Sequence, residues 1–480
     1  MKDKIKEIID YLKKKKVDYA DIRHQRSSIE DIKVKNGNVE ALSRNDDRGF
    51  GIRVIKNGAW GFAASSILSL EEMKRVADAA IEIAQASALT KKENVRLTST
   101  QIHQDKYQSL YDVDPSGVSI DKKIGLLLDA CTIMQKNPKI KVAEGSMEFF
   151  KTEKVFASTE GAFIEQSILE SGAGIIATAV DGSEAQRRCY PNSPRGDYAS
   201  RGYEFVEDLE LLQHAERIRE EAVQLLSAPP LSEMETTIII AGNQMALQVH
   251  ESCGHPTELD RVLGTEISLA GGSFITLDKL NKLKYGSEKV TIVADATIPG
   301  GLGSFGYDDE GVKAQRAYLV KDGLFVGYQT SRETATVLNL QSNGTMRANG
   351  WNRIPLIRMT NINLEPGEWE LEDLIADTKD GVFMDTNKVW SIDDKRLNFQ
   401  FGVEAAWEIK GGKLGKMFKN ATYTGITPQF WNSCDAVCNR KHWHIWGVPN
   451  CGKGEPMQIM HVAHGTSPTR FRNVKVGVSK

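Results

Sequence analysis

Helix-type and strand-type patterns occupy separate blocks of the sequence instead of alternating. Helical spacing or helix-start signals mark four stretches in the first half of the chain: 3–15, 69–89, 119–135 and 205–227. Short alternating apolar runs separated by NGN, NDDRG and KNG turns fill residues 21–64, which predicts an antiparallel meander. A further block of strand-type sequence covers 140–180. Grouping of this kind indicates an α+β fold.

Two of the predicted helices have specific local evidence. The first has a periodic apolar face made of Ile5, Ile8, Ile9 and Leu12. The second begins at Ser69 with Glu72 three residues later, which is the pattern of a capping box. Both elements are therefore expected from short-range information alone.

The segment SAPPLSEMET, residues 227–236, is the clearest boundary in the chain. It predicts an N-terminal domain, 1–228, with an antiparallel sheet and amphipathic helices, and a C-terminal domain, 234–480, of mostly antiparallel strands. In the second domain TTIIIAG is a β-prone run, and Asn243 is predicted to cap one helix that continues into HESCGH. Strand-type runs with Gly-rich connections follow to the end.

Charge and composition restrict the classes of partner. The 480 residues contain 61 Lys and Arg against 64 Asp and Glu, a formal net charge of -3, so no general attraction to nucleic acid or to an anionic membrane is expected. The opening MKDKIKEIIDYLKKKK lacks the apolar region of a signal peptide. The six cysteines are too scattered for a disulfide framework. We expect a cytoplasmic protein with reduced thiols and without nucleic-acid or membrane partners.

The segment HESCGH, residues 250–255, has the composition of a zinc-peptidase motif but one residue too many between its histidines. The common motif, HExxH, places two histidines on one helical face. Each helical residue advances about 100°, so His250 and His255 would diverge by about 140° on a regular helix. Gly254 can adopt strained dihedrals, and Pro256 removes an N–H and disfavours the α conformation at His255. We therefore predict a π-bulge or an abrupt helix end between the histidines.

These residue types suit a catalytic zinc site. Such a site uses three protein ligands and leaves one position for water. His250 and His255 would supply two ligands, and Glu251 would accept a proton from water as general base. The spacing leaves the third ligand open among the remaining candidates, which are Cys253, Cys434, Cys438, His442, His444, Cys451, His461 and His464.

Over nearly its full length, the chain resembles the TldD/PmbA metallopeptidases, also known as modulators of DNA gyrase. The resemblance rests on HESCGH followed by NCGKGEP at 450–456, and on the N-terminal stretch VKNGNVEALSRNDDRGFGIRVIKNGAWGFA. DDEG at 308–311, RMTN at 358–361 and the late VKVG are also similar to the family. The resemblance implies that Cys451 is the third zinc ligand. Pro256 and the segment NSCDAVCNRKHWHIW, 432–446, depart from the typical pattern.

The resemblance also implies an activity and partners. Members of this family cleave peptides and unfolded protein segments, and they work as dimers, often of an active subunit with a homologue that lacks the metal motif. The chain is accordingly expected to be the active member of a homodimer, or of a heterodimer with a TldD/PmbA homologue. Its N-terminal domain would then provide substrate access and dimer contacts.

Two groups of cysteines and histidines allow other interpretations. Cys253 lies close to the helical face of His250, but a small buried thiol is the commoner role for such a residue. Cys434, Cys438 and His442 follow at intervals of four, with His444 nearby, and could bind a second, structural zinc. A packed helical face with solvent-exposed histidines is the alternative that we favour.

Other side chains have weaker indications. Glu258 or Asp260 could orient a metal-bound histidine, since such histidines usually donate their second N–H to a carboxylate; both could equally be surface charges. Tyr307 could stabilise an oxyanion or simply plug a glycine-rich turn. GGLGSFG does not match a nucleotide-binding loop.

The sequence thus predicts a zinc-dependent peptidase. The alternative is a non-catalytic scaffold with a structural zinc, or the partner subunit of a TldD/PmbA dimer. The two classes differ in the fourth ligand position: Cys253 or His444 would fill it in a structural site, and a structural site does not need Glu251.

Overall fold

The computed structural model describes residues 1–268, 271–454 and 457–478. Glu455 and Pro456 of the NCGKGEP segment lie outside the described residues. The helices of the first half are α1 (Lys2–Lys14), α2 (Leu70–Ala88), α3 (Ile120–Met134), α4 (Tyr203–Asp208) and α5 (Leu211–Ser227). Its strands are β1 (Tyr19–Lys35), β2 (Asn38–Lys56), β3 (Ala59–Ser65), β4 (Gln104–Gln108), β5 (Ile140–Ser158), β6 (Phe163–Asp181), β7 (Glu184–Tyr190) and β8 (Asp197–Ala199).

The second half is built mainly of strands. Its helices are α6 (Gly242–Val249), α7 (Leu259–Val262), α8 (Leu371–Asp377) and α9 (Thr427–Asn432). Its strands are β9 (Met234–Ile240), β10 (Ile292–Asp295), β11 (Arg316–Lys321), β12 (Leu324–Phe325), β13 (Met346–Arg347), β14 (Leu356–Ile357), β15 (Ile362–Leu364), β16 (Asp380–Ile392), β17 (Asn398–Lys410), β18 (Lys413–Phe418), β19 (Ala421–Ile426), β20 (Cys434–Val437), β21 (His444–Lys453), β22 (Gln458–Thr466) and β23 (Thr469–Val478). The predicted α+β class is confirmed.

One long sheet organises the first half. Its strands run in the order β3-β2-β1-β5-β6-β4, with β7 and β8 also paired to β6, and all pairs are antiparallel except β4 with β6. The strands β1, β2, β5 and β6 are 17 to 19 residues long, enough for two helical layers side by side. At one end α1 and α2 pack on Ile22 and Ile52, and at the other α3 and α5 pack on Ile32 and Met147.

A closed ring of strands organises the second half. Strand β16 pairs with both β9 and β17, so that β16, β9, β23, β19 and β17 form a continuous circle of pairings. The helix α6 follows β9 directly and buries Met245 and Val249 in the same core as Ile238, Phe401 and Phe471 of the ring. The ring thereby fixes the position from which the HESCGH segment starts.

Buried ion pairs join the two halves. Arg53 of β2 lies 3.6 Å from Glu310, and Lys154 of β5 lies 3.1 Å from Asp309. Both carboxylates belong to the DDEG segment. On another face Arg188 of β7 contacts Asp385 at 2.6 Å. Charges removed from water require partners, so these pairs specify how the halves fit together. Within the described residues, no helix is long and apolar enough to cross a bilayer.

Most predicted elements of the first half are confirmed, including the meander β1–β2–β3 and the Ser69 cap, whose side chain accepts the Glu72 N–H. Two expectations about helices were wrong. The helix predicted over 205–227 is broken into α4 and α5, because Glu210 adopts a left-handed conformation at φ 49°. Asn243 does not cap α6; it lies inside the first turn and binds Thr386 through its side-chain amide at 2.9 Å.

Candidate metal centre

The two histidines of HESCGH come together because the helix changes its winding between them. α6 ends at Val249, a π-helical turn covers His250–Gly254, and a 3-10 turn covers His255–Thr257. The ring centroids of His250 and His255 lie 4.8 Å apart. The wider π-turn absorbs the extra residue of the motif, so the predicted helix distortion is confirmed.

The local reasons for the distortion differ from those predicted. Both Gly254 and His255 keep right-handed helical dihedrals, so neither the strained glycine nor the displaced residue before proline is observed. Gly254 is needed for space instead, because an added Cβ would lie 2.1 Å from the sulfur of Met359. Pro256 has its predicted effect on hydrogen bonding: the Ser252 carbonyl cannot receive a bond from Pro256 and accepts the Tyr285 hydroxyl at 2.8 Å.

A buried polar network supports the π-turn from below. The Ser252 hydroxyl accepts the indole N–H of Trp431 at 2.9 Å and donates to the Gln248 carbonyl at 2.5 Å. Gln248 in turn accepts the hydroxyl of Tyr423 at 3.0 Å. Buried polar groups without such partners would destabilise the fold, so this network makes the irregular turn a fixed part of the core.

Cys451 reaches the histidines from the hairpin β21–β22. Its Sγ lies 3.8 Å from Nε2 of His255, and the ligand atoms of His250, His255 and Cys451 all lie within 4.8 Å of one another. All three residues are buried. The pairing of β21 with β22 is irregular between Val448 and Cys451, and Arg358 donates to the Cys451 carbonyl at 2.5 Å. The bulge and the arginine together fix the position of the thiol.

Hydrogen bonds select the same tautomer for His250 and His255. Nδ1 of His464 lies 3.1 Å from the Ile362 carbonyl, which can only accept, so His464 carries its proton there. Its Nε2 is then an acceptor and faces Nδ1 of His250 at 2.7 Å. His255 directs its Nδ1 at the Glu258 carboxylate at 3.1 Å. In each case Nδ1 donates, and the lone pair of Nε2 is left for a metal.

The carboxylate beside His255 lies in a charged cluster. Glu258 is fully buried, and Arg261 and Lys453 both lie 3.4 Å from its Oε2. Asp260, the other predicted orienting residue, instead accepts Lys453 Nζ at 2.7 Å. Lys453 is two residues from Cys451, so this cluster connects the helix segment that carries the histidines with the strand that carries the thiol.

The electrostatics of the site favour neutral histidines and a single acidified thiol. Burial lowers the pKa of His250, and lowers those of His255 and His464 well below the ordinary value. Burial would raise the pKa of Cys451, but the adjacent Arg358 and His255 outweigh it and lower the pKa. The other five cysteines, Cys131, Cys189, Cys253, Cys434 and Cys438, have pKa values raised by burial. Cys451 is thus the cysteine best suited to act as a thiolate.

Glu251 follows His250 directly in the π-turn. Its side chain is 10% exposed, and its Oε2 lies 3.4 Å from Nη1 of Arg396. That oxygen has no hydrogen-bond partner among the described residues. A carboxylate with a free lone pair beside a cluster of metal-binding side chains can accept a proton.

The remaining ligand candidates are engaged elsewhere. Cys253 is packed in the main core. Cys434 lies on β20 and Cys438 follows that strand, each in a different core cluster, so the predicted helical face is wrong. His442 binds Glu370 at 3.0 Å. Two further histidines bind carboxylates of the N-terminal half, His444 with Asp197 and His461 with Glu170. The structure does not bring Cys434, Cys438, His442 and His444 together.

Tyr307 is also occupied away from the histidines. It packs against Phe156, Ala162 and Ile164 and donates to the Asp105 carboxylate. Sequence reasoning missed two residues of the centre. His464 had been considered only as a metal ligand, and Arg396, in the DDKR turn after β16, gave no signal beyond that of a turn.

Two cavities lie near the hairpin that carries Cys451: one contains carboxylates that bind Lys453 and Gly454, and the other is lined by the hairpin itself. The first, of about 1110 Å³, lies between Trp60 and Phe62 of β3 and the segment around Leu263, and it includes Asp260 and Glu266. The second, of about 450 Å³, is lined by residues next to Cys451 and by parts of the N-terminal sheet, including Pro449, Asn450, Phe150 and Glu170. Glu251 and the three donor residues line neither cavity.

Comparison with known proteins identifies the family. Residues 233–478, more than half of the chain, match the PmbA/TldA metallopeptidase C-terminal domain, while 20–84 and 113–226 match domain 1 and the central domain of the same family. A metalloprotease of Methanocaldococcus jannaschii is 30% identical over 91% of this chain and 92% of its own. The zinc metalloprotease TldD homolog of Saccharolobus solfataricus is 22% identical over 96% of both chains.

Solved structures share the fold over the full length. A Thermotoga maritima protein, provisionally described as a modulator of a DNA gyrase, superimposes with a TM-score of 0.79 at 17% identity, over 99% of this chain and 100% of that chain. At 17% identity this likeness shows a shared fold. The three matched domains and the M. jannaschii relative show the family. The chain belongs to the PmbA/TldD family of metallopeptidases.

Proposed function

We propose that this chain is a zinc-dependent peptidase that hydrolyses peptides or unfolded protein segments. In this proposal His250, His255 and Cys451 bind the zinc ion, and Glu251 is the general base. The observation that carries it is the convergence of two Nε2 lone pairs and one acidified thiol, with the buried Glu251 next to His250 in the same turn.

The donor set suits zinc. Imidazole nitrogens and a thiolate are borderline to soft ligands, which favour zinc over magnesium or calcium. The second nitrogen of each histidine is already engaged, as is usual for metal-bound histidines. Three protein ligands leave a fourth position open. When bound, zinc supplies a Lewis acid that acidifies water and polarises a carbonyl group.

The chain's own groups can then move the proton. Glu251 accepts a proton from the attacking water while the water oxygen bonds to the carbonyl carbon of the peptide. The same carboxyl group later returns that proton to the nitrogen when the C–N bond breaks, so the residue ends the cycle ionised. Burial of Glu251 to 7% exposure keeps bulk water away from this transfer.

The clefts support an extended or unfolded substrate. The cavity of about 1110 Å³ is lined by aromatic and aliphatic side chains together with charged ones. Glu266 on its wall accepts the N–H of Gly454, which lies three residues from Cys451, at 3.0 Å. A folded protein could not bring a peptide bond to a centre with its ligand residues this deeply buried. In this proposal residues 1–228 control access and contribute dimer contacts, while 234–480 carry the chemistry, in a cytoplasmic homodimer or a heterodimer with a TldD/PmbA homologue.

The alternative function is a scaffold or partner subunit with a structural zinc, which would need a fourth protein ligand. Burial raises the pKa of Cys253 to about 12, and His444 binds Asp197 at 2.6 Å. Neither residue joins the donor cluster within the described residues. These two observations favour the open, catalytic site.

Metal content and cleavage of an unstructured peptide library test the proposal together, on protein purified from its native cells without added metal. Wild type and Glu251→Gln are expected to contain about one zinc per chain, and only wild type should cleave. Cys451→Ala should lose the zinc. Zinc-free wild type, or cleavage that does not depend on Glu251, would contradict the peptidase assignment.

A further inference from the structure

Arg396 places a cation at the proposed general base. It lies in the turn between β16 and β17, far in sequence from the HESCGH segment, and its Nη1 lies 3.4 Å from Oε2 of Glu251. The side chains of both residues are largely shielded, at 15% and 10% exposure. A positive charge is thus built into the wall of the metal centre.

The turn holds this arginine in an unfavourable backbone conformation. Arg396 has a φ of 63°, a left-handed value that residues with a Cβ rarely adopt. The turn fixes it from both sides: its N–H donates to the Asp393 carbonyl at 2.8 Å, and its carbonyl accepts the Thr427 hydroxyl at 2.9 Å. The Asp393 carboxylate binds the next two backbone N–H groups, of Leu397 and Asn398. The backbone that carries the guanidinium is therefore fixed before substrate arrives.

The contact with Glu251 leaves hydrogen-bonding capacity unused. Nε of Arg396 is buried without a partner among the described residues, and so is Oε2 of Glu251. A pair that served only to neutralise charge would be expected to form direct hydrogen bonds, because an unsatisfied buried N–H is unfavourable. The free donor instead suits an oxygen atom that is present only when substrate is bound.

We propose that Arg396 is a catalytic residue that donates to the oxyanion formed on the scissile carbonyl. This inference rests on the proposed peptidase function. As the water oxygen bonds to the carbonyl carbon, Glu251 takes one proton and the C=O π-electron pair moves to the carbonyl oxygen. Arg396 donates an N–H to that oxyanion. When the pair returns, the C–N bond breaks, and its electrons and the proton from Glu251 go to the leaving nitrogen.

Kinetics of Arg396→Met test the proposal, with Lys395→Met as the matched control, since Lys395 is an exposed cation in the same turn. Removing one oxyanion donor typically lowers kcat by about 10²–10³-fold. We expect that loss in Arg396→Met, with zinc content and KM near wild type. Affinity for a phosphinic peptide, which mimics the tetrahedral intermediate, should fall by a similar factor. Lys395→Met should behave as wild type.

Two further variants separate chemistry from folding. Guanidinium ions should partly restore kcat in Arg396→Ala and have no such effect on Glu251→Gln, a result that a structural role would not produce. If Arg396→Met fails to fold, Arg396→Lys decides, because it retains a cation in the turn. It should lose at least tenfold in kcat through the altered donor geometry, and a wild-type kcat would overturn the proposal.

Peptides with free and with amidated C-termini test whether Arg396 binds a terminal carboxylate instead of the oxyanion. If it recognised a free terminal carboxylate, the effect of Arg396→Met would appear only with free-acid peptides and vanish with amidated ones, which would overturn the oxyanion assignment. Equal losses on both are expected. A wild type without zinc-dependent cleavage would sink the peptidase proposal and this one together, whereas an active wild type matched by Arg396→Met would sink only the role of Arg396.

Discussion

Nε2 of His464 lies 2.7 Å from Nδ1 of His250, although the two residues are 214 positions apart in the chain. The Ile362 carbonyl fixes the proton of His464 on its other nitrogen. His464 therefore acts as an acceptor that holds the His250 ring and leaves its Nε2 lone pair for the proposed metal. A carboxylate usually has this role; here a buried neutral imidazole has it, and no additional negative charge enters the site.

His464→Leu should weaken zinc binding by about 10–100-fold, the usual effect of removing a partner of a metal-bound histidine. His464→Gln can still accept from His250 and should retain more of the affinity. Competition with a chromogenic chelator measures both constants. Equal affinity in wild type and His464→Leu would show that His250 needs no such partner.

Glu258→Gln should destabilise the protein as well as the metal site. Glu258 is the buried anion shared by His255, Arg261 and Lys453, and breaking such a cluster typically costs about 3–5 kcal/mol. Urea unfolding of the metal-free protein gives the free energy of unfolding. The half-exposed pair of Lys122 and Glu207 provides the control, since Glu207→Gln should change the free energy of unfolding by no more than about 1 kcal/mol.

Gly254→Ala should disturb the π-turn by steric overlap with Met359, whose sulfur would lie 2.1 Å from the new Cβ. Overpacking of this kind typically costs about 1–3 kcal/mol. The double variant Gly254→Ala/Met359→Ala removes the clashing atoms and should recover zinc binding relative to Gly254→Ala. Thermal unfolding measures the loss of stability, and zinc content measures the loss of metal binding. Full zinc binding by Gly254→Ala alone would contradict the close packing.

The metal-free protein should lose stability as the pH falls below about 6.5. Burial lowers the pKa values of His250, His255 and His464 from the ordinary 6.5, so the unfolded chain binds protons in this range more readily than the folded one. Folding stability then decreases as the pH falls. Urea unfolding measures how the free energy of unfolding changes from pH 7.5 to pH 5.5, about one unit on either side of the ordinary histidine pKa. His464→Leu should make this pH dependence shallower, and a flat profile in wild type would refute the prediction.

Short-range chemistry explains what could be predicted from the sequence. The Ser69 cap, the turns of the meander and the distortion of HESCGH all depend on residues a few positions apart. The wrong predictions concern residues whose conformation depends on contacts with distant parts of the chain. Glu210 looks like an ordinary helix residue, yet packing of α5 and α4 on the sheet places it in a left-handed conformation. Cys434 and Cys438 are spaced for a helical face, but Cys434 lies on a strand and Cys438 directly after it, because β20 pairs with β23.

The composition of the metal centre could be predicted only in part for a related reason. His250, Glu251 and His255 are neighbours in sequence, and Cys451 followed from family resemblance. Placing Cys451, His464 and Arg396 beside them depends on the hairpin β21–β22 and on the closed ring of strands, which are long-range pairings. No local pattern marks an acceptor histidine or an arginine in a turn as part of the proposed site.

A zinc titration of metal-free protein during peptide hydrolysis tests the peptidase proposal most directly. The rate should rise linearly and level off at one zinc per chain. Glu251→Gln should take up the same single zinc without any hydrolysis. Hydrolysis that proceeds without zinc, or that persists in zinc-loaded Glu251→Gln, would show that this site does not perform the reaction.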